Sequence, residues 1–172
     1  MNVRLSTVRF ERDLLIVLLL VGCVGCDQLT KDVAQQYLAF ESPRSWFHDT
    51  VRLEYAENMG AFLSLGSGFS EGLRVILFQV LPVLWLVGLA IVLFFAKQMP
   101  LLSATAWTLV LSGGIGNLID HLFHDGRVID FMNVGIGSFR TGIFNVADVC
   151  ITIGVSLLVL ELLQRPRVSV NG

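Results

Sequence analysis

The sequence predicts an all-α membrane fold, four transmembrane helices with both termini inside (N-in/C-in) and a small extracytoplasmic β-rich cradle between helices one and two. Two observations predict it. Of the 172 residues, 54% are hydrophobic and only 15% charged, with a mean hydropathy of +0.72, whereas a soluble domain carries about a quarter charged residues. The apolar residues also gather in runs, and a bilayer core about 30 Å thick takes about 20 apolar residues in one helix.

The first run, residues 14–26, follows Arg4, Arg9 and Arg12, and by itself has the flanks and length of a signal-peptide core. Three further runs make it the first of a set: residues 75–96, interrupted only by Gln79 and Pro82; residues 101–119; and residues 146–163, broken by Asp148. With helix one extended past Cys26, the spans cover about 13–34, 73–96, 101–120 and 146–164, within a single integral-membrane domain over 1–172.

Positive charge is retained on the cytoplasmic side, which orients the chain. Arg4, Arg9, Arg12, Lys97, Arg165 and Arg167 crowd the short segments that share a side with the N-terminus. Lys31, Arg44, Arg52, Arg74, Arg127 and Arg140 are spread thinly over the opposite side, so both termini are expected in the cytoplasm. The outer segment of about 35–72 then holds Trp46 and Phe47, an alternating stretch from Val51 to Tyr55 that reads as a short strand, and Gly60, Gly66, Gly68 and Gly72. A second outer segment, 120–145, is rich in glycine and turn residues and reads as a loop; the inner connection is only 97–100.

A formal net charge of −2 gives no basic surface for nucleic acid. Cys23, Cys26 and Cys150 are too few for a disulfide framework, and the Cys23–Cys26 pair has no second ligand pair to complete a metal site.

Acidic residues at the rim of a bilayer cost several kcal/mol to insert, so their placement carries information. They gather on one side here: Asp27 at the outer end of helix one, Asp120 at the outer end of helix three, Asp130 in the loop that follows, and Asp148 in the first turn of helix four. Two carboxyls close together in a poorly solvated site share one proton. One can activate water while the other, protonated, polarises a carbonyl. Each has a plainer reading as well. Asn145-Val146-Ala147-Asp148 is also a good helix start, an N-cap with an acid three residues on. Asp130 could be a loop carboxylate bonded to backbone, and Asp27 and Asp120 read as interfacial or structural.

Five segments carry a resemblance: Asp27-Gln28-Leu29-Thr30-Lys31, Asn58-Met59-Gly60-Ala61-Phe62, Gly113-Gly114-Ile115-Gly116-Asn117-Leu118-Ile119-Asp120, Val128-Ile129-Asp130-Phe131 and Phe144-Asn145-Val146-Ala147-Asp148. In order and spacing they resemble the lipoprotein signal peptidase (signal peptidase II) family over about 14–163. The resemblance implies an aspartyl endopeptidase of the bacterial inner membrane, with its active site facing the periplasm. It would remove signal peptides from prolipoproteins by cutting before the diacylglyceryl-modified cysteine. It implies Asp130 and Asp148 as the catalytic pair, with Asn58, Gly60, Asn117, Asp120 and Asn145 shaping the site, Asp27 and Lys31 closing helix one, and residues 46–69 as cradle and lid. The expected partners are prolipoprotein substrates and membrane lipids; a monomer without metal or organic cofactor is expected.

One departure stands out, because many members carry Arg where this chain has His121, replacing a permanent cation with a ring that titrates near neutrality. His121 reads either as a site residue or as an interfacial histidine, as do His124 and His48. Gly113, Gly114 and Gly116 read as close-packing positions. The positive end of helix four should favour ionised Asp148 and leave Asp130 as the proton carrier.

Rival readings are weaker. Leu20-Val21-Gly22-Cys23 has the form of a lipoprotein cleavage site, but three more spans follow. A four-helix proton, ion or solute transporter would distribute its acids through the membrane depth. Ser67 and Ser112 lack a placed histidine, and no G-x-S-x-G or H-E-x-x-H occurs.

Overall fold

The computed structural model describes residues 2–59, 68–96 and 98–164, with side chains from residue 10 onward. Gly60, Gly66, Ser67, Lys97, Arg165 and Arg167, and with them the middle of the expected lid, lie outside the described residues. The helices are α1 (Asn2–Leu38), α2 (Glu71–Val75), α3 (Leu81–Phe95), α4 (Leu101–Phe123) and α5 (Val146–Gln164), and a π-helical turn, Ile76–Val80, joins α2 to α3. Phe10–Leu38, Glu71–Phe95, Leu101–Phe123 and Val146–Gln164 are long and apolar enough to cross a membrane. Their outward side chains, such as Leu84, Trp85, Phe95 and Leu163, are exposed, as suits a bundle whose surrounding solvent is lipid.

The second span is not a uniform helix. Pro82 has no N–H for the carbonyl four residues back, and its ring crowds that carbonyl. The widened turn directly before it accommodates both effects. Helix α1 also runs past residue 34, to Leu38. Its polar outer part stays helical because Asp27 and Lys31, one turn apart, are both buried against α4 rather than left in lipid.

Helix α4 is the centre of the bundle. It packs on α1, α3 and α5, and small residues let it approach. A Cβ at Gly113 would fall 2.3 Å from the Ala147 carbonyl oxygen, and one at Gly116 would fall 2.6 Å from Asp27 Oδ2. These are close-packing positions, as the sequence suggested.

The sheet differs from expectation. It has four antiparallel strands in the order β1 (Arg44–Trp46), β2 (Val51–Asn58), β3 (Val128–Ile136) and β4 (Phe139–Arg140). The expected cradle between helices one and two therefore supplies only half of it; the other half comes from the segment read as a loop. Residues 128–131 are buried on both faces, so they lack the polar alternation that marks a half-exposed strand. The sheet seats on α1 and the start of α5 through Ala34, Leu38, Phe131, Leu53 and Val146. That contact carries the ends of β2 and β3 to the mouth of the bundle.

Candidate active site

Four elements bring polar side chains to that mouth. Asn58 ends β2, and its strand partner Val128 lies two residues before Asp130 on β3, so the two polar groups share a face. Asn58 Nδ2 donates to Asp130 Oδ2 at 3.3 Å. Asp130 is therefore a strand residue, correcting its assignment to a loop.

The start of α5 is a reciprocal cap. The Asp148 N–H donates to Asn145 Oδ1 at 2.9 Å, and the Asn145 N–H donates to Asp148 Oδ2 at 3.1 Å, satisfying two donors that a helix start leaves open. The plainer reading of Asp148 is thus correct, yet it does not exclude the other. Asp148 Oδ1 turns toward α4 and accepts from Asn117 Nδ2 at 3.0 Å. Asn145 Nδ2 donates to Asp130 Oδ1 at 2.7 Å and to Asn117 Oδ1 at 3.1 Å, so one asparagine touches both aspartates.

Behind Asn117 lies a buried ion cluster. Lys31 Nζ donates to Asp27 Oδ2 at 2.8 Å, Asp120 Oδ2 at 2.9 Å and Asn117 Oδ1 at 3.0 Å, using all three ammonium donors. Asp27 Oδ1 also accepts the Ala147 N–H at 2.8 Å, and Asp120 Oδ2 accepts the Ile129 N–H at 3.1 Å. Asp27 and Asp120 thereby pin the start of α5 and the strand beside Asp130. Because Lys31 and Asn145 both donate to Asn117 Oδ1, the amide has one orientation, with its NH₂ aimed at Asp148. Gln28 completes the cluster by donating to Asp27 Oδ2 and Asp120 Oδ1, both at 3.1 Å. Sequence reasoning gave Gln28 no role, because its partner Asp120 lies 92 residues away and no local pattern reports the pairing.

Asp130 and Asp148 line one cavity of about 380 Å³, with Asn58, Asn117 and His121. Phe78 and Pro82 form one wall and Ile151 and Thr152 another, so the second and fourth spans flank it. Burial, then the neighbouring Asp148 carboxylate, pushes the Asp130 carboxyl up to about 7, against the opposing pull of Asn58 and Asn145.

His121 is a wall residue. Its ring stacks on Phe78 with centroids 5.7 Å apart, and Nδ1 lies 3.1 Å from the Gly126 carbonyl. A carbonyl only accepts, so Nδ1 carries a hydrogen. Gln79 fixes the helix there by donating to the His121 carbonyl at 3.0 Å; it was visible beforehand only as a polar break in an apolar run. His124 Nδ1 lies 3.9 Å from Asp120 Oδ1, outside the cavity. His48 sits in the distant β1–β2 turn.

The model of signal peptidase II matches residues 19–164. The chain belongs to the signal peptidase II family. A lipoprotein signal peptidase of Treponema denticola is 36% identical over 153 residues, covering 83% of this chain and 87% of that protein. The corresponding protein of Streptococcus pneumoniae is 32% identical, covering 91% and 94%. A bacterial membrane enzyme solved by the in meso method at 1.9 Å superposes with a TM-score of 0.76 at 27% identity, covering 88% of this chain and 94% of that one. Signal peptidase II enzymes are membrane proteases that remove signal peptides from prolipoproteins, and the transporter reading is set aside.

Proposed function

We propose that Asp130 and Asp148 are the catalytic pair of an aspartic endopeptidase that cuts prolipoproteins just before the diacylglyceryl-modified cysteine. The site faces the periplasm from the outer side of the bacterial inner membrane, with both termini cytoplasmic. A monomer suffices, since one chain supplies both aspartates and the groups that hold them. The observation that carries this reading is the shared contact: Asn145 hydrogen-bonds both aspartates, and both line one cavity.

The two carboxyls divide the work. Asp148, at the positive end of α5 and held by Asn117 and the Asn145 N–H, acts as the base. Asp130, with its carboxyl near 7, carries the proton. A water gives its proton to Asp148 while its oxygen bonds the scissile carbonyl carbon, and Asp130 protonates the carbonyl oxygen. The tetrahedral intermediate collapses as Asp148 returns its proton to the departing nitrogen and the C–N bond breaks. Asp130 recovers a proton from the intermediate's hydroxyl. The products are a signal peptide with a new carboxylate and a lipidated N-terminal cysteine amine. Apolar walls at Phe78, Leu118 and Ile151 suit a substrate whose acyl chains stay in the bilayer. Asn58, Asn117, Asn145, Asp27, Lys31 and Asp120 act by holding the pair, and His121 shapes the substrate side.

The test is cleavage of a diacylglyceryl-modified prolipoprotein by the purified protein, alongside Asp130→Asn and Asp148→Asn. Each variant should lose about 10³-fold or more in kcat while remaining folded. Undiminished cleavage by both would refute the mechanism.

A further inference from the structure

The end of the sheet farthest from the aspartates does not line their cavity, yet it displays large apolar side chains. Phe47 is 78% exposed, Ile136 79% and Phe139 89%, with Trp46 beside them at 44%. They belong to two turns, β1–β2 and β3–β4, that lie side by side. The Gly135 N–H donates to the Thr50 carbonyl at 2.9 Å, and Arg140 Nη1 donates to the Asp49 carbonyl at 2.6 Å. Six residues of β3 separate Asp130 from Ile136, about 20 Å at strand spacing.

We propose that these two turns form a foot in the outer-leaflet interface, inserting Trp46, Phe47, Ile136 and Phe139 among lipid headgroups and upper acyl chains. Three observations single out lipid as the occupant. The exposed groups are aromatic and aliphatic side chains on protruding turns, the composition of membrane-interface belts. Along the chain Trp46 and Phe47 follow closely on the outer end of α1, where Tyr37 and Phe40 are 63% and 100% exposed. Within residues 44–52 and 134–141, the turns and their immediate ends, Arg44, Arg52 and Arg140 stand against one acid, Asp49, which suits anionic headgroups.

The foot is rigid. Phe47, His48 and Asp49 hold φ of +53°, +54° and +68° in succession, a left-handed run that non-glycine residues keep only when their surroundings enforce it. Asp49 does so: its carboxylate accepts from Ser45 Oγ at 2.7 Å and Arg52 Nε at 2.6 Å, with Arg140 Nη1 at 3.5 Å. A rigid foot on the strand that carries Asp130 sets the height of the catalytic end above the bilayer, and so its reach to a lipid-anchored substrate.

The test places the full chain in vesicles of phosphatidylcholine and phosphatidylglycerol. With Trp85→Phe and Trp107→Phe, Trp46 is the sole tryptophan. Lipids bearing a spin label near the top of the acyl chain should quench its fluorescence, while aqueous iodide should quench it several-fold less than free tryptophan. Full iodide quenching without lipid quenching would overturn the proposal and mark a water-exposed surface suited to a protein partner. A second variant, Ile136→Ser with Phe139→Ser, should raise KM several-fold on substrate in bilayers and leave KM in detergent and kcat in both unchanged. Equal loss in the two media, or none in either, would overturn the positioning role.

Discussion

Two carboxylate pairs lie within a few side chains of each other and, in the function proposed above, do opposite things. Asp27 and Asp120 enclose an ammonium, Lys31, at 2.8 and 2.9 Å. Among the described residues, Asp130 and Asp148 make no salt bridge; their partners are the amides of Asn58, Asn117 and Asn145. A carboxylate paired with a buried lysine is committed to holding structure. A pair held by neutral amides shares its protons with whatever enters the cavity. In that proposal, what separates scaffold from chemistry is which carboxyls Lys31 touches directly.

The largest expected effect tests that division directly. Asp130→Asn and Asp148→Asn should abolish turnover while the thermal midpoint at pH 4 stays within a few degrees of the parent, because an amide replaces a carboxyl of nearly equal size. Lys31→Met should do the reverse. Removing the ammonium leaves two buried carboxylates uncompensated, a loss of about 3–5 kcal/mol, readable as a large fall in thermal midpoint in detergent. A Lys31→Met protein as stable as the parent would show that the cluster is not the scaffold.

Much of this was legible in the sequence. The four spans follow from apolar run length, and the position of Asp148 follows from the Asn145 cap. The strand carrying Asp130 was not legible, because Val128-Ile129-Asp130-Phe131 is buried on both faces and its alternation is gone. The role of Lys31 was hidden for another reason. Its partners Asp120 and Asn117 lie about 90 residues away, and no local pattern reports that pairing. The π-helical turn could have been argued from Pro82, but only its length and place in the structure show that it sets Phe78 against His121.

A smaller effect should come from Asn117→Ala, which removes the donor to Asp148 Oδ1 and the acceptor for Lys31. Loss of about 10- to 100-fold in kcat, with KM little changed, would mark a group that holds the base. Asn117→Asp should fare worse than Asn117→Ala, since it sets a third acid against Asp148. The reverse order would show that amide orientation is not what Lys31 enforces.

The pH dependence sharpens the comparison furthest. Because Asp130 is pushed up to about 7 from an ordinary value of about 3.9, the folded protein holds a proton there that the unfolded chain releases. Both states are protonated below about 4, so no stability is lost there; as pH rises from about 4 through about 7, the raised carboxyl costs the folded state progressively more. Asp130→Asn removes that cost. Its thermal midpoint should match the parent at pH 4 and exceed it at pH 8, whereas Asp27→Asn, which gives up a partner of Lys31, should lie below the parent at pH 8. In the parent, kcat should fall along an alkaline limb near pH 7 as the proton on Asp130 is lost. A flat profile from pH 6 to 9, together with no gain in stability for Asp130→Asn at pH 8, would mean that Asp130 is ionised throughout and that the two acid pairs do not differ as argued.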